Sequence, residues 1–168
     1  DAIITVDSAM KFLHENGVVP SKLPDLILPE GYPKNLIFSY GYTSYVSSLV
    51  LMYNTKMVSA DTVPKGYEDL ANPQWRGKLC LVDLEIYTPA TFMFMDVRRD
   101  WGEEKFWNWM KGLIANKAVW EKSFISAAKT VEVGELALTY TVATNVRRAM
   151  EAGAPVNAVW PNPTYVRM

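Results

Sequence analysis

The sequence predicts an α/β fold built on a mostly parallel sheet with flanking helices. Two observations carry that expectation. Apolar, β-branched runs alternate with amphipathic stretches along most of the chain. Residues 50–83 compress the same pattern into one segment. An apolar run at 50–53 enters a polar turn at 54–56, and a short helix follows near 67–70. The tight segment Asn72-Pro73-Gln74-Trp75-Arg76-Gly77-Lys78 then leads into a second apolar run at Leu79–Val82. Strand, short helix, turn and buried strand is how an α/β layer begins. At 168 residues the chain is long enough for one full core.

The remaining elements follow in chain order. Residues 2–6 are β-branched and apolar and read as a buried strand. Asp7-Ser8 offers side-chain oxygens at a helix start, residues 9–15 form the helix, and Asn16-Gly17 closes it. His14, the one histidine, sits by that helix's C-terminus, where a surface or capping role is expected. Residues 19–35 are rich in proline and lysine without a period and read as loop, with a strand expected at 36–40. The tract 38–53 mixes Tyr40, Tyr42, Tyr45 and Tyr53 with Ser and Thr. Two readings stay open there: a cleft wall, or an amphipathic strand pair with half-buried rings.

Thr88-Pro89 is a cap followed by a favourable first helical residue, and the helix should run to about 100. A second helix is expected over 103–114, with Phe106, Trp107, Met110, Leu113 and Ile114 as its apolar face. Further along come a short strand at 118–120, a turn at 121–126 ending in a cap, and a helix at 127–133 closed by Gly134. A strand at 136–141, a helix at 142–152 stopped by Gly153, and a last strand at 156–160 complete the pattern.

Composition narrows the function. A net charge of −1 supplies no basic stripe for nucleic acid and no patch for an anionic membrane surface. The lone cysteine, Cys80, lies inside an apolar run and forms neither an internal disulfide nor a cysteine metal cage; it reads as a buried thiol. No stretch reads as a signal peptide or a membrane span, and the strand-like start and uncapped end lead us to expect a piece of something longer. HExxH, CxxC, GxSxG, Walker and GxGxxG motifs are all missing. The carboxylate pairs Asp83 with Glu85 and Glu103 with Glu104 read as solvated charge.

One arrangement recurs. Three strand-to-helix junctions carry small hydroxyls: Tyr87-Thr88 with Thr91, Ser123 with Ser126, and Tyr140-Thr141 with Thr144. Ligands of open α/β sheets lie outside the carboxyl ends of the strands, where helix N-termini offer free N–H groups to an anion. Serine and threonine are also the commonest purely structural caps, so each junction has a plain alternative.

The pattern YNTK…GYEDLANPQWRGKL…LVD, over residues 53–83, resembles the passage into the second lobe of type II periplasmic binding proteins. These are the extracellular solute receptors of ABC importers, in the branch that takes ferric iron, phosphonates, polyamines or thiamine. DAIITVDSAMKFLHENGVV is similar to a first-lobe strand and helix with a ligand-facing loop near Asp7. SYVSSLVLMYNTK resembles the crossing strand, and VDLEIYTPATF the loop into the second-lobe ligand helix. KSFISAAKTVEVGELALTY resembles the next junction, and EAGAPVNAVWPNP the return toward the first lobe.

The resemblance implies an incomplete two-lobed architecture. Residues 1–45 would be a partial first lobe and crossing segment, 46–155 the second lobe, and 156–168 the return strand. It further implies a periplasmic or cell-surface receptor without catalysis or cofactor, partnered by a membrane permease. Thr88, Thr91, Ser123, Ser126 and Thr141 would hold the anionic end of a small polar organic solute, with Tyr45, Tyr87 and Tyr140 packed along its flanks and Asp7 facing it. A polyamine stays open as ligand. Iron-binding members carry adjacent tyrosines where this chain has Ala143 and Thr144, which counts against direct iron ligation. Other readings are a regulator's sensing domain, an enzyme on the same fold, or a lobe fragment that binds nothing. A cut lobe would expose strand edges, so self-association is expected.

Overall fold

The structure, a computed structural model, describes residues 7–19, 28–44, 46–86 and 88–167. It divides into a smaller unit, residues 1–46 with 167–168, and a larger one, residues 47–166. The strand expected at 2–6 lies outside the described residues.

In the smaller unit, helix α1 (Asp7–Glu15) ends where the sequence places its stop. Gly17 takes φ 69°, and the N–H of Val18 reaches back to the Leu13 carbonyl at 2.9 Å. The strand expected at 36–40 becomes a hairpin, with β1 (Ile37–Phe38) antiparallel to β2 (Gly41–Tyr42). The His14 ring packs against Tyr40 at 4.7 Å between centroids, so it is an aromatic contact rather than a helix cap.

The larger unit holds the main sheet. Its strands are β3 (Ser47–Asn54), β4 (Leu79–Val82), β5 (Val119–Glu121), β6 (Leu138–Val142) and β7 (Val156–Val159), in the order β5-β4-β6-β3-β7. The short β8 (Val166–Arg167) pairs with β3. The α/β class holds, but the sheet is mixed rather than mostly parallel. β4 is parallel to β5 and β6, whereas β3 is antiparallel to β6 and β7. The sequence pattern marks where strands lie and is silent on which become neighbours, and direction follows from neighbours.

Helices α2 (Thr88–Trp101), α3 (Glu103–Ala115), α4 (Phe124–Glu132) and α5 (Ala143–Glu151) cover the sheet. The pleat of β3 sorts them. Leu49, Leu51 and Tyr53 join Met93, Phe94, Val97, Phe106, Trp109 and Leu113 on the α2–α3 side. Val50 and Met52 join Ala128, Val131, Val146 and Ala149 on the α4–α5 side.

α3 keeps Phe106, Leu113 and the partly buried Met110 of the expected face and adds Trp109 in place of Trp107 and Ile114. Phe106, Trp109 and Leu113 are buried, while Trp107 and Ile114 are exposed. Trp109 wins the inner position because its Nε1 donates to the Tyr67 carbonyl at 2.8 Å, satisfying the one polar atom it buries. Gly112 meets the 3-10 turn Tyr67–Ala71 so closely that a Cβ there would lie 2.6 Å from the Ala71 Cβ. Asn116, buried just past α3, donates to the carbonyls of Leu70 and Asn72, both at 2.9 Å. The Asn72–Gly77 turn is itself set by the Asn72 side chain, which accepts from the Gln74 N–H at 3.1 Å.

Candidate functional site

Strands β4, β5 and β6 run in one direction, so their carboxyl ends lie along one edge of the sheet. Each leads into a helix: β4 to α2, β5 to α4 and β6 to α5. Register aligns the ends, with Val82 opposite Glu121 across β4–β5, and Cys80 opposite both Val119 and Thr139.

The three junctions are tied together by hydrogen bonds. The Asp83 N–H donates to the Glu121 carbonyl at 2.8 Å, joining the first to the second. The Thr141 hydroxyl donates to the Phe124 carbonyl at 3.1 Å, joining the third to the second. That hydroxyl also accepts from Asn145 Nδ2 at 3.0 Å, which fixes the first turn of α5. Tyr140 OH reaches the Val82 carbonyl at 3.4 Å, a weak contact.

Against this geometry the expected contact residues divide. Tyr45 and Tyr87 lie outside the described residues. Asp7 and Thr88 are the first residues of α1 and α2, and Asp7 belongs to the smaller unit. Thr91 is half-buried, and its hydroxyl donates to the Leu84 carbonyl, so it braces the loop after β4. Ser123, not Ser126, is the cap of α4. Its Oγ accepts from the Ser126 N–H at 3.1 Å, while Ser126 Oγ accepts from the Ser123 N–H at 3.1 Å. This reciprocal box satisfies the helix start from within.

Two expectations need correction. Tyr140 was placed along the flank of a solute, but it is fully buried, with its ring beside Phe94 and Phe124 at 5.8 and 5.6 Å. Burial holds its phenol neutral, pushing its pKa up. Thr141 was placed at an anionic group, but it too is fully buried and both its hydrogen bonds go to protein groups. It fastens the starts of α4 and α5 to each other.

The helix starts also differ in their free capacity. α4 is capped by the serine box, whereas the start of α5 at Val142 has no side-chain cap. No side chain caps the N–H groups of its first turn, the dipole there favours negative charge, and Thr144 beside them is exposed. Asn145, which fixes this turn, carries no signal in the sequence beyond its amide. Asp83 turns back on its own loop, accepting from the Glu85 N–H at 2.8 Å, and Glu85 points to solvent. Among the described residues, no three His, Cys, Asp or Glu side chains come together as a metal site. Two surface depressions lie on the α2–α3 corner around Trp101, Glu103 and Lys105, and no junction residue lines them.

Residues 4–166 match the bacterial extracellular solute-binding protein family. The chain belongs to that family. The family's members are binding proteins of the bacterial exterior, and this places the chain outside the cytoplasm. Among the described residues no helix is long and apolar enough to cross a membrane.

Solved structures share the fold. The ferric binding protein from Campylobacter jejuni superposes with a TM-score of 0.77 at 17% identity, over 97% of this chain and 56% of that one. The substrate binding protein of an ABC transporter from Agrobacterium tumefaciens gives 0.77 at 16%, over 94% and 48%. Iron-bound HitA from Pseudomonas aeruginosa gives 0.69 at 22%, over 89% and 48%. The chain thus spans about half the length of the structures it matches. No curated protein sequence matches it.

Proposed function

We propose that the chain is the solute-recognising part of an ABC importer's receptor and binds a small anionic organic solute without transforming it. The observation that carries this reading is the uncapped start of α5, held at the carboxyl edge by a bond to the α4 junction, which is bonded in turn to the α2 junction. Such an end suits a phosphate, phosphonate or carboxylate group. Thr144, the α5 N–H groups, the start of α2 and the Ser123 region would surround that group. The larger unit corresponds to the second lobe and the smaller unit to part of the first, and a membrane permease would receive the loaded receptor.

Ferric iron is disfavoured. Ala143 and Thr144 supply no phenol, and Tyr140 is buried against the Val82 carbonyl. A sugar phosphate fits the anionic reading better; a structure of AfuA from Actinobacillus pleuropneumoniae with exogenous fructose-6-phosphate bound has the same fold, with a TM-score of 0.68.

Native mass spectrometry of the purified chain, set beside its denatured mass, tests the reading. A small mass that vanishes on denaturation and corresponds to an organic anion is the expected result. A retained polyamine or iron would overturn the ligand class. A bare mass, together with no calorimetric response to inorganic phosphate or phenyl phosphate, would favour a lobe fragment that binds nothing.

A further inference from the structure

Trp160 stands where the return strand reaches the same edge. α5 and β7 form a there-and-back pair packed on each other, joined by the turn at Gly153. From Ala143 to Glu151 the helix retreats roughly 12 Å from the edge at 1.5 Å per residue. From Val156 to Trp160 the strand returns roughly 13 Å at 3.3 Å per residue. The indole is thereby brought back level with the start of α5.

Register gives the same answer. Val159 and Tyr140 both pair with Leu51 across β3, so the next position, Trp160, shares a row with Val50 and Thr141. The pleat gives its side. Val156 and Ala158 pack on the α5 side and Val159 on the other, so alternation turns Trp160 toward α5. Two strand spacings separate it from Thr141, roughly 10 Å. Its ring is 60% exposed, although the neighbouring Pro161 is buried and anchors the backbone.

An indole left open at this point, across from uncapped N–H groups, matches a ligand with two ends. We infer that Trp160 is the stacking wall for the ring or flat body of the solute, so that the site takes anions carrying such a body in preference to bare inorganic anions. The inference rests on the anionic-solute reading above and adds the second half of the ligand. The indole presents a broad rigid face with few rotatable bonds to order on binding.

The test uses the 168-residue chain, its Trp160→Ala and Trp160→Phe variants, and two probes, inorganic phosphate and phenyl phosphate, by calorimetry. Circular dichroism confirms that each variant is folded. The parent chain should bind phenyl phosphate more tightly than phosphate. Trp160→Ala should lose about tenfold in phenyl phosphate affinity, near the low end of aromatic stacking contributions, and leave phosphate within about twofold. Trp160→Phe should keep most of the difference. An unchanged phenyl phosphate affinity in Trp160→Ala, or an equal loss for both probes, overturns the inference and leaves the proposed function standing. Binding of neither probe by the parent overturns the anionic-solute reading, and the inference with it.

Discussion

Substituting Gly112 with alanine should destabilise the larger unit, against the usual rule for a glycine inside a helix. Glycine costs a helix interior about 1 kcal/mol relative to alanine, so Gly→Ala is normally a gain. Here the new Cβ would sit 2.6 Å from the Ala71 Cβ, 3.3 Å from the Ala71 carbonyl oxygen and 3.4 Å from its Cα. Carbon atoms rest at about 3.5–4.0 Å, so α3 and the 67–71 turn must separate by roughly 1 Å. The partner is a short side chain on backbone with no rotamer to swing away. Both segments are further fixed by Trp109 donating to Tyr67 and Asn116 donating to Leu70. Overpacking of this kind costs about 1–3 kcal/mol. Set against the propensity gain, the net loss for Gly112→Ala is up to about 2 kcal/mol, and Gly112→Val should lose more.

Urea unfolding measures this directly, since a lower midpoint at unchanged slope is a loss of stability. The double variant Ala71→Gly with Gly112→Ala should recover much of the loss, because removing the Ala71 methyl reopens the space. Stabilisation by Gly112→Ala alone, or no coupling in the double-mutant cycle, would refute the close-approach argument.

Four other outcomes follow from the same structure. Asn116→Ala takes the amide donor from the buried Leu70 carbonyl and leaves the Asn72 carbonyl only the Trp75 N–H, and should cost about 1–3 kcal/mol in denaturant unfolding. Ser123→Ala removes the α4 cap and should cost about 1 kcal/mol, and Ser123→Asp should restore most of it in the same assay. Tyr140→Phe gives up only a 3.4 Å hydrogen bond, so it should change stability by less than about 1 kcal/mol and leave solute affinity unchanged in calorimetry. Burial, aided by Glu121, pushes the Cys80 thiol from 9.0 up to about 12. Between those values the unfolded chain ionises and the folded one does not. Stability should therefore fall with rising pH across that window by up to about 1.4 kcal/mol per unit, and Cys80→Ala should remove that component of the alkaline loss.

Local rules were legible in the sequence, and non-local ones were not. Gly17, Gly134 and Gly153 end their helices at φ 69°, 79° and 79°, because a stop needs only a residue tolerant of the left-handed region. The buried strand Leu79–Val82 was equally plain, being apolar on both faces. Strand direction was not. β3 pairs with β6 and β7, which arrive much later in the chain, and no residue in 47–54 encodes that choice. The candidate site shows the same limit. Hydroxyls at three junctions fall along one edge of the sheet, yet Thr141 and Ser123 are bonded within the protein. A threonine that faces a ligand and one that fastens two elements have the same sequence signature. Trp109 displaced Trp107 from the core for a similar reason, since its bonding partner, the Tyr67 carbonyl, lies 42 residues away.

β6 passes into α5 with no linker, Val142 closing the strand and standing immediately before the helix. With Thr141 clasping Phe124 on one side and Asn145 on the other, the origins of α4 and α5 share a single fastening. Neither helix start can swing on its own without breaking that clasp. On the proposed reading, altered selectivity at this edge would come from exchanging side chains on a fixed frame rather than from reshaping a loop.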